Sequence, residues 1–281
     1  FRTFTMYTEN DFLTTSNVLE RTYKFAFSKK ADTHGLQLSQ NINLSFKQSF
    51  KDTSGFEIKV AHKSSGNNDL LTRGSALAPF VKFGQGGNFS LMYYGKQDAR
   101  WSYWMYLSRD RQSLQSFTTT SNNIALGGYY YPSDNIKFGI HLGKYNTKNW
   151  LNWLEDNRLG TYPLDYFSFK ANATWFPKEK HELRIKFQTN IMQTETGNEW
   201  LADSTGNLNS ANSSAAGFDL GQLAFQVRYK YEISPLSHFY AVYTRGGRHY
   251  EDDDVNVSEI ISRTWDNPKE DRFILKLRMK F

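Results

Sequence analysis

The sequence predicts an all-β fold, a transmembrane antiparallel up-and-down β-barrel of about 14 strands, formed by residues 1–281 as a single domain. Three observations lead there. Aromatic residues make up 16% of the chain, with 22 Phe, 17 Tyr and 7 Trp, yet the mean hydropathy is −0.65. No stretch reaches the ~18 consecutive apolar residues that a spanning helix needs. Large apolar residues instead alternate with long polar ones at period two, so that a chain polar on average still offers lipid a continuous apolar surface. The localisation that follows is the outer membrane of a Gram-negative bacterium, with its lipid as the first partner.

The closing segment from Phe273 to Phe281 shows the period most plainly. Phe273, Leu275, Leu277, Met279 and Phe281 fall on one face, and Lys276, Arg278 and Lys280 on the other. Leu223, Phe225, Val227 and Tyr229 alternate with Ala224, Gln226, Arg228 and Lys230. Leu183, Ile185 and Phe187 alternate with Arg184, Lys186 and Gln188. Phe167 and Phe169 oppose Ser168 and Lys170, and Ile136, Phe138 and Ile140 oppose Lys137, Gly139 and His141. Nearer the N-terminus Tyr23 and Phe25, Ile42 and Leu44, and Phe56, Ile58 and Val60 repeat the pattern. A soluble sandwich would alternate too, but its polar face would lack so many long charged side chains. It would also have no need of rings at strand ends such as Tyr129, Tyr130, Tyr131, Trp150, Trp153, Trp175, Phe176, Tyr229 and Tyr231.

Strands are expected near 2–12, 19–31, 37–51, 55–64, 76–84, 88–96, 100–118, 122–131, 136–153, 165–176, 182–199, 218–233, 237–250 and 271–281. The fifth is the weakest, because residues 67–75 before it read as a longer turn or a segment folded inside the lumen; Gly84, Gly86 and Gly87 read as a hairpin turn rather than a phosphate loop. Segments 132–135, 177–180 and 234–237 are tight connectors, whereas 201–217 and 251–271 are long and polar. Short periplasmic turns and longer external loops alternate in this way, which places both termini on the periplasmic side.

Several function classes recede. The chain has no cysteine, so disulfides, thiolate nucleophiles and Cys-based metal sites are excluded. The six histidines lack metal-ligand spacing, and no nucleophile motif accompanies His249, so neither an enzyme, a metal site nor a cofactor is expected. The acidic run from Glu251 to Asp254, with Glu259 and Asp266, lacks the spacing of a calcium loop and reads as a solvated loop. A net charge of +6 does not imply nucleic acid, since Lys and Arg are spread along strands rather than clustered. The chain opens at Phe1 without a basic and apolar leader, so the expectation is a removed signal peptide or a start inside a longer protein.

Candidate functional residues come from the polar face. Lys137, Lys170, Arg184, Lys186, Gln188, Arg228, Lys230, Lys276 and Arg278 are expected to line a pore, where they would attract anionic or saccharide-like solutes. Pairing with Glu57, Glu182 and Glu232 to fill the interior is the alternative use of the same side chains. Leu277, Met279 and Phe281 form a terminal signal suited to the outer-membrane assembly machinery. Trp200, Trp265 and residues 204–217 are loop features that a protein partner in an envelope complex could grip, should the barrel be a plugged platform instead.

Residues 68–74, 131–135, 231–245 and 273–281 resemble the C-terminal barrel region of bacterial proteins that often carry an N-terminal carbohydrate-binding domain of family nine. The resemblance implies a barrel and a longer native chain with further strands upstream. It carries no catalytic motif and assigns no sugar-binding residue here.

Overall fold

The structure, a computed structural model, describes residues 2–9, 17–31, 35, 37–72, 75–78, 80–96, 100–252 and 255–280. Among the described residues, sixteen strands and one helix form around one sheet. Its wall consists of β1 (Arg2–Glu9), β2 (Val18–Ala31), β3 (Gln37–Phe50), β4 (Gly55–Lys63), β6 (Val81–Tyr94), β7 (Trp101–Leu114), β8 (Thr118–Ser133), β9 (Ile136–Glu155), β10 (Arg158–Lys178), β11 (His181–Thr194), β14 (Phe218–Ser234), β15 (Ser237–Glu251) and β16 (Glu270–Arg278), each beside the next. Off the wall lie β5 (Gly66–Asn68), β12 (Gly197–Ala202), β13 (Leu208–Ala215) and α1 (Val257–Asp266).

Among the described residues thirteen strands therefore make the wall, where about fourteen are expected. The expected strands at 76–84 and 88–96 are one strand, β6. Gly84, Gly86 and Gly87 lie inside it, and the register slips between Phe83 and Gly86 against β7. A local sequence rich in glycine reads as a turn, but pairing with β4 and β7 on either side holds it extended. The odd number changes the orientation too. β1 begins at the end with the long connections, β16 finishes at the end with the short turns, and the two edge strands run in the same direction. Among the described residues β1 pairs with β2 alone and β16 with β15 alone.

The connectors at 134–135, 179–180 and 235–236 gather at one end of the wall, as expected. The opposite end is elaborated. The segment 201–217 is not an irregular loop: with residues before it, it forms the β12–β13 hairpin. Asp203 Oδ1 shapes the turn by accepting from the Thr205 and Asn207 backbone N–H groups at 2.8 and 3.0 Å, and Gly206 takes φ +84°. β12 pairs with the start of β10, so β9, β10, β12 and β13 form a small four-stranded extension.

That extension folds over the mouth. Leu159, Ala202 and Leu208 pack with Ala78, Val81 and Leu114 in the main buried core. The Lys82 N–H donates to Gly206 O at 2.8 Å, Ser116 Oγ donates to Leu208 O at 2.9 Å, and the Phe117 and Trp200 rings lie 5.0 Å apart. A hairpin rooted on β10 thus reaches β6 across three intervening strands. Trp200 also donates to Thr161 Oγ1 at 2.9 Å, so it serves this core rather than standing out as a sticky loop residue.

The other long connection holds α1. Asn256 caps it by accepting from the Glu259 N–H at 3.0 Å, and the helix buries Ile260 and Thr264. It lies against β11, β14 and β15. A Cβ at Gly221 would come within 2.4 Å of Thr264 Oγ1, so only glycine admits the helix this closely. Trp265 packs on Phe225 with centroids 5.8 Å apart, and the Arg245 guanidinium stacks on the same indole at 4.9 Å. Both expected loop tryptophans thus have packing partners within the chain, and Trp265 keeps part of its surface exposed.

Candidate functional site on the inner face of the wall

Strand register assigns every wall residue to one of two faces, and contacts that skip a strand show which face is concave. Second-neighbour strands lie ~10 Å apart along a sheet, too far for most side chains to meet unless the sheet curls toward them. Lys63 Nζ on β4 reaches Asp110 Oδ2 on β7 at 2.6 Å, across β6. Ser49 on β3 meets the Tyr94 hydroxyl on β6 at 3.1 Å, across β4. Trp104 on β7 lies 5.0 Å from the His141 ring on β9, across Gly127 of β8. All of these residues share one face, which is the inner one. The other face exposes Phe138, Ile140, Leu126, Phe89, Val60, Leu44 and Leu275.

The nine candidate pore residues fall together on the inner face. Arg184 and Arg228 are directly opposed across β11 and β14. Glu182 resolves that like-charge contact: its Oε1 accepts from Arg228 at 2.7 Å and also meets Arg184. Lys137 is placed over the Tyr129 ring at 3.9 Å, with Tyr131 at 5.4 Å. Lys170 stands in register with His141 on one side and Gln188 on the other, and Lys186 with Asn172 and Gln226. Lys230 and Lys276 flank Tyr240, and Arg278 opposes His238. Among the described residues, no carboxylate lies within ion-pair distance of Lys170, Lys186, Lys230, Lys276 or Arg278. The inner face therefore keeps a surplus of cations after Glu182 has been spent on two arginines.

Two corrections concern the rings. Tyr129 and Tyr131 were expected at a lipid-facing girdle, but they turn inward to Lys137, whereas Tyr130 stays outside and stacks on Trp101 at 4.0 Å. Further rings that period alone did not assign, Trp104, Tyr106, Tyr145 and Tyr166, line a cavity of about 670 Å³ on the inner face between β6 and β11. Both faces of β7 carry large side chains from Trp101 to Leu107, so its alternation carried no sign of which ring points inward.

The terminal candidates are placed differently. Leu277 and Met279 are exposed at the free side of the wall, and Leu277 opposes Phe239. Phe281 lies outside the described residues, as do Asp253 and Asp254 of the acidic run. Glu251 of that run is joined to Arg263 and lies 2.8 Å from His249 Nε2, and Glu259 also meets Arg263. The Arg263 hydrogen bond is the first cause, and the nearby His249 a further one, that hold the Glu251 carboxyl below its ordinary range.

The sheet and its two chemically distinct faces define the class: an all-β, antiparallel up-and-down β-barrel fold. Among solved structures, that of the NanC porin in a rhombohedral crystal form is similar at 10% sequence identity and a TM-score of 0.27, over 74% of this chain and 81% of that one. No family model matches the sequence, and a search of the curated proteins finds no match.

Proposed function

We propose that this chain is an outer-membrane barrel that passes small polar solutes, anionic ones in preference to cationic ones. One observation carries the reading: apolar side chains occupy the outer face while Lys170, Lys186, Lys230, Lys276 and Arg278 share the inner face without carboxylate partners among the described residues. Charged linings set the sign of the ions that a pore admits. In hydrocarbon an unpaired backbone group costs several kcal/mol, so only a wall paired along its length can reside there.

The test is a planar-bilayer recording under a salt gradient. The reversal potential is expected on the anion-selective side. Glu182→Gln should push it further that way, and Lys186→Glu should pull it back. Cation selectivity in the unmodified protein overturns the reading.

A second reading rests on the extension folded over the mouth, where Leu159, Ala202 and Leu208 meet Val81 and Leu114. A barrel stopped by that core would serve as a membrane-embedded platform for an envelope partner. An inserted, folded and silent protein would favour it.

A further inference from the structure

The inner-face cavity between β6 and β11 differs chemically from the rest of the lining. Elsewhere that face is mostly polar, and its rings are spread out, as Tyr94, Tyr129 and Tyr240 are, rather than gathered. Here Trp104, Tyr106, Tyr145 and Tyr166 converge, with Met92 and Met192 at the sides, around about 670 Å³. The rings are half-buried, so they present apolar faces to whatever fills the space. The backbone makes room for them. A Cβ at Gly127 would come within 2.8 Å of the Trp104 indole, and one at Gly143 within 2.7 Å of Ser168 Oγ.

Water is a poor occupant of such a space, because apolar surface left facing it forgoes the roughly 25 cal/mol per Å² that covering would return. A solute with a flat apolar face covers the rings, and an aromatic one gains offset or edge contacts with them that an aliphatic one lacks. Methionine sulfur adds to the preference for an aromatic ring. The rim supplies the second element of recognition. His141 lines the cavity, and Lys170, on the same face, stands opposite it in register. Among the described residues the Lys170 ammonium has no carboxylate within ion-pair distance. A ring surface with a cation at its edge matches a ring that bears a carboxylate.

We infer that this cavity is a binding subsite for small aromatic carboxylates. The inference rests on the reading of the inner face as a solute path and names a class of solute for it. Occupancy can be measured without conduction, so the two stand or fall separately.

The experiment is isothermal titration calorimetry on the folded protein in detergent micelles, with benzoate as the probe and protein-free micelles as the blank. Benzyl alcohol keeps the ring without the charge, gluconate keeps the charge without the ring, and cyclohexanecarboxylate keeps the charge and an aliphatic ring. Benzoate is expected to bind at least about fivefold more tightly than each of the three. Lys170→Gln and Trp104→Ala should each weaken benzoate by about fivefold or more, with far-UV circular dichroism unchanged. Should Trp104→Ala fail to fold, Tyr145→Leu, which removes a ring that β9 contributes to the cavity, replaces it. The inference is overturned by no benzoate binding up to about 50 mM, a range in which contacts worth about 2 kcal/mol or more would be seen. It is equally overturned by gluconate binding as well as benzoate, or by folded variants that retain full affinity. Any of these results leaves anion-selective conduction intact.

Discussion

At the scale of single residues, one carboxylate organises a whole turn at the end with the long connections. Asp203 closes the β12–β13 hairpin with hydrogen bonds to the Thr205 hydroxyl at 2.7 Å and to the Asn207 and Thr205 N–H groups. The Thr205 hydroxyl is the largest cause, and the backbone bonds the next, that hold its carboxyl far below the usual carboxylate value of 3.8. The folded form therefore prefers the ionised acid. Its stabilisation is present above that usual value and is lost as the pH falls below it toward the folded one. The hairpin should become open to pepsin within 197–215 as the pH drops from about 4 to about 2, and Asp203→Asn should be cut there already at the upper end of that range. Mass spectrometry of the fragments reads both; equal cleavage of the two proteins at every pH would remove Asp203 from the role.

At the scale of elements, the outer face has two kinds of surface. Phe169 lies among outward side chains and packs on Phe187 at 5.8 Å. Phe225 shares that face by register but is covered by Trp265 of α1. Phe169→Arg should cost about 2–4 kcal/mol of folding stability in phospholipid vesicles if it sits near the midplane, as measured by denaturant titration. A near-neutral value would reverse the assignment of the two faces.

Much of this was legible from period two, because a strand buried on one chemistry and exposed to another must alternate. The inward set from Lys137 to Arg278 and the tight turns at 134–135, 179–180 and 235–236 came directly from it. β6 did not, since Gly84, Gly86 and Gly87 carry no side chain with which to show a period. The core of the extension did not either: Val81, Leu114, Leu159, Ala202 and Leu208 come from five separate stretches of chain and meet only after the mouth has folded. α1 sits in a segment whose acids suggested solvent, but Ile260, Thr264 and Trp265 give it one apolar stripe, and the glycine that receives it is on another strand.

At the scale of the whole molecule, the extension and the wall divide the work. The wall separates apolar from charged side chains. The extension ties the start of β10 to β6 and β7 at the end with the long connections. The two edges set the other molecular property. β1 and β16 point the same way, so a wall of thirteen that closes on itself joins them side by side in parallel, whereas every other pair in it is antiparallel. Cysteines placed along 2–9 and along 270–278 should cross-link in step, early with early and late with late. Failure of every pair would put another strand between them.

Such a cylinder has a seam. Its parallel bonds are slanted and hold slightly less per residue than their neighbours. Pulled apart, it would part along one line instead of anywhere on its circumference, like a coat that opens only where it is buttoned. The first and last strands would come loose together while the long β9–β10 pair on the far side still held.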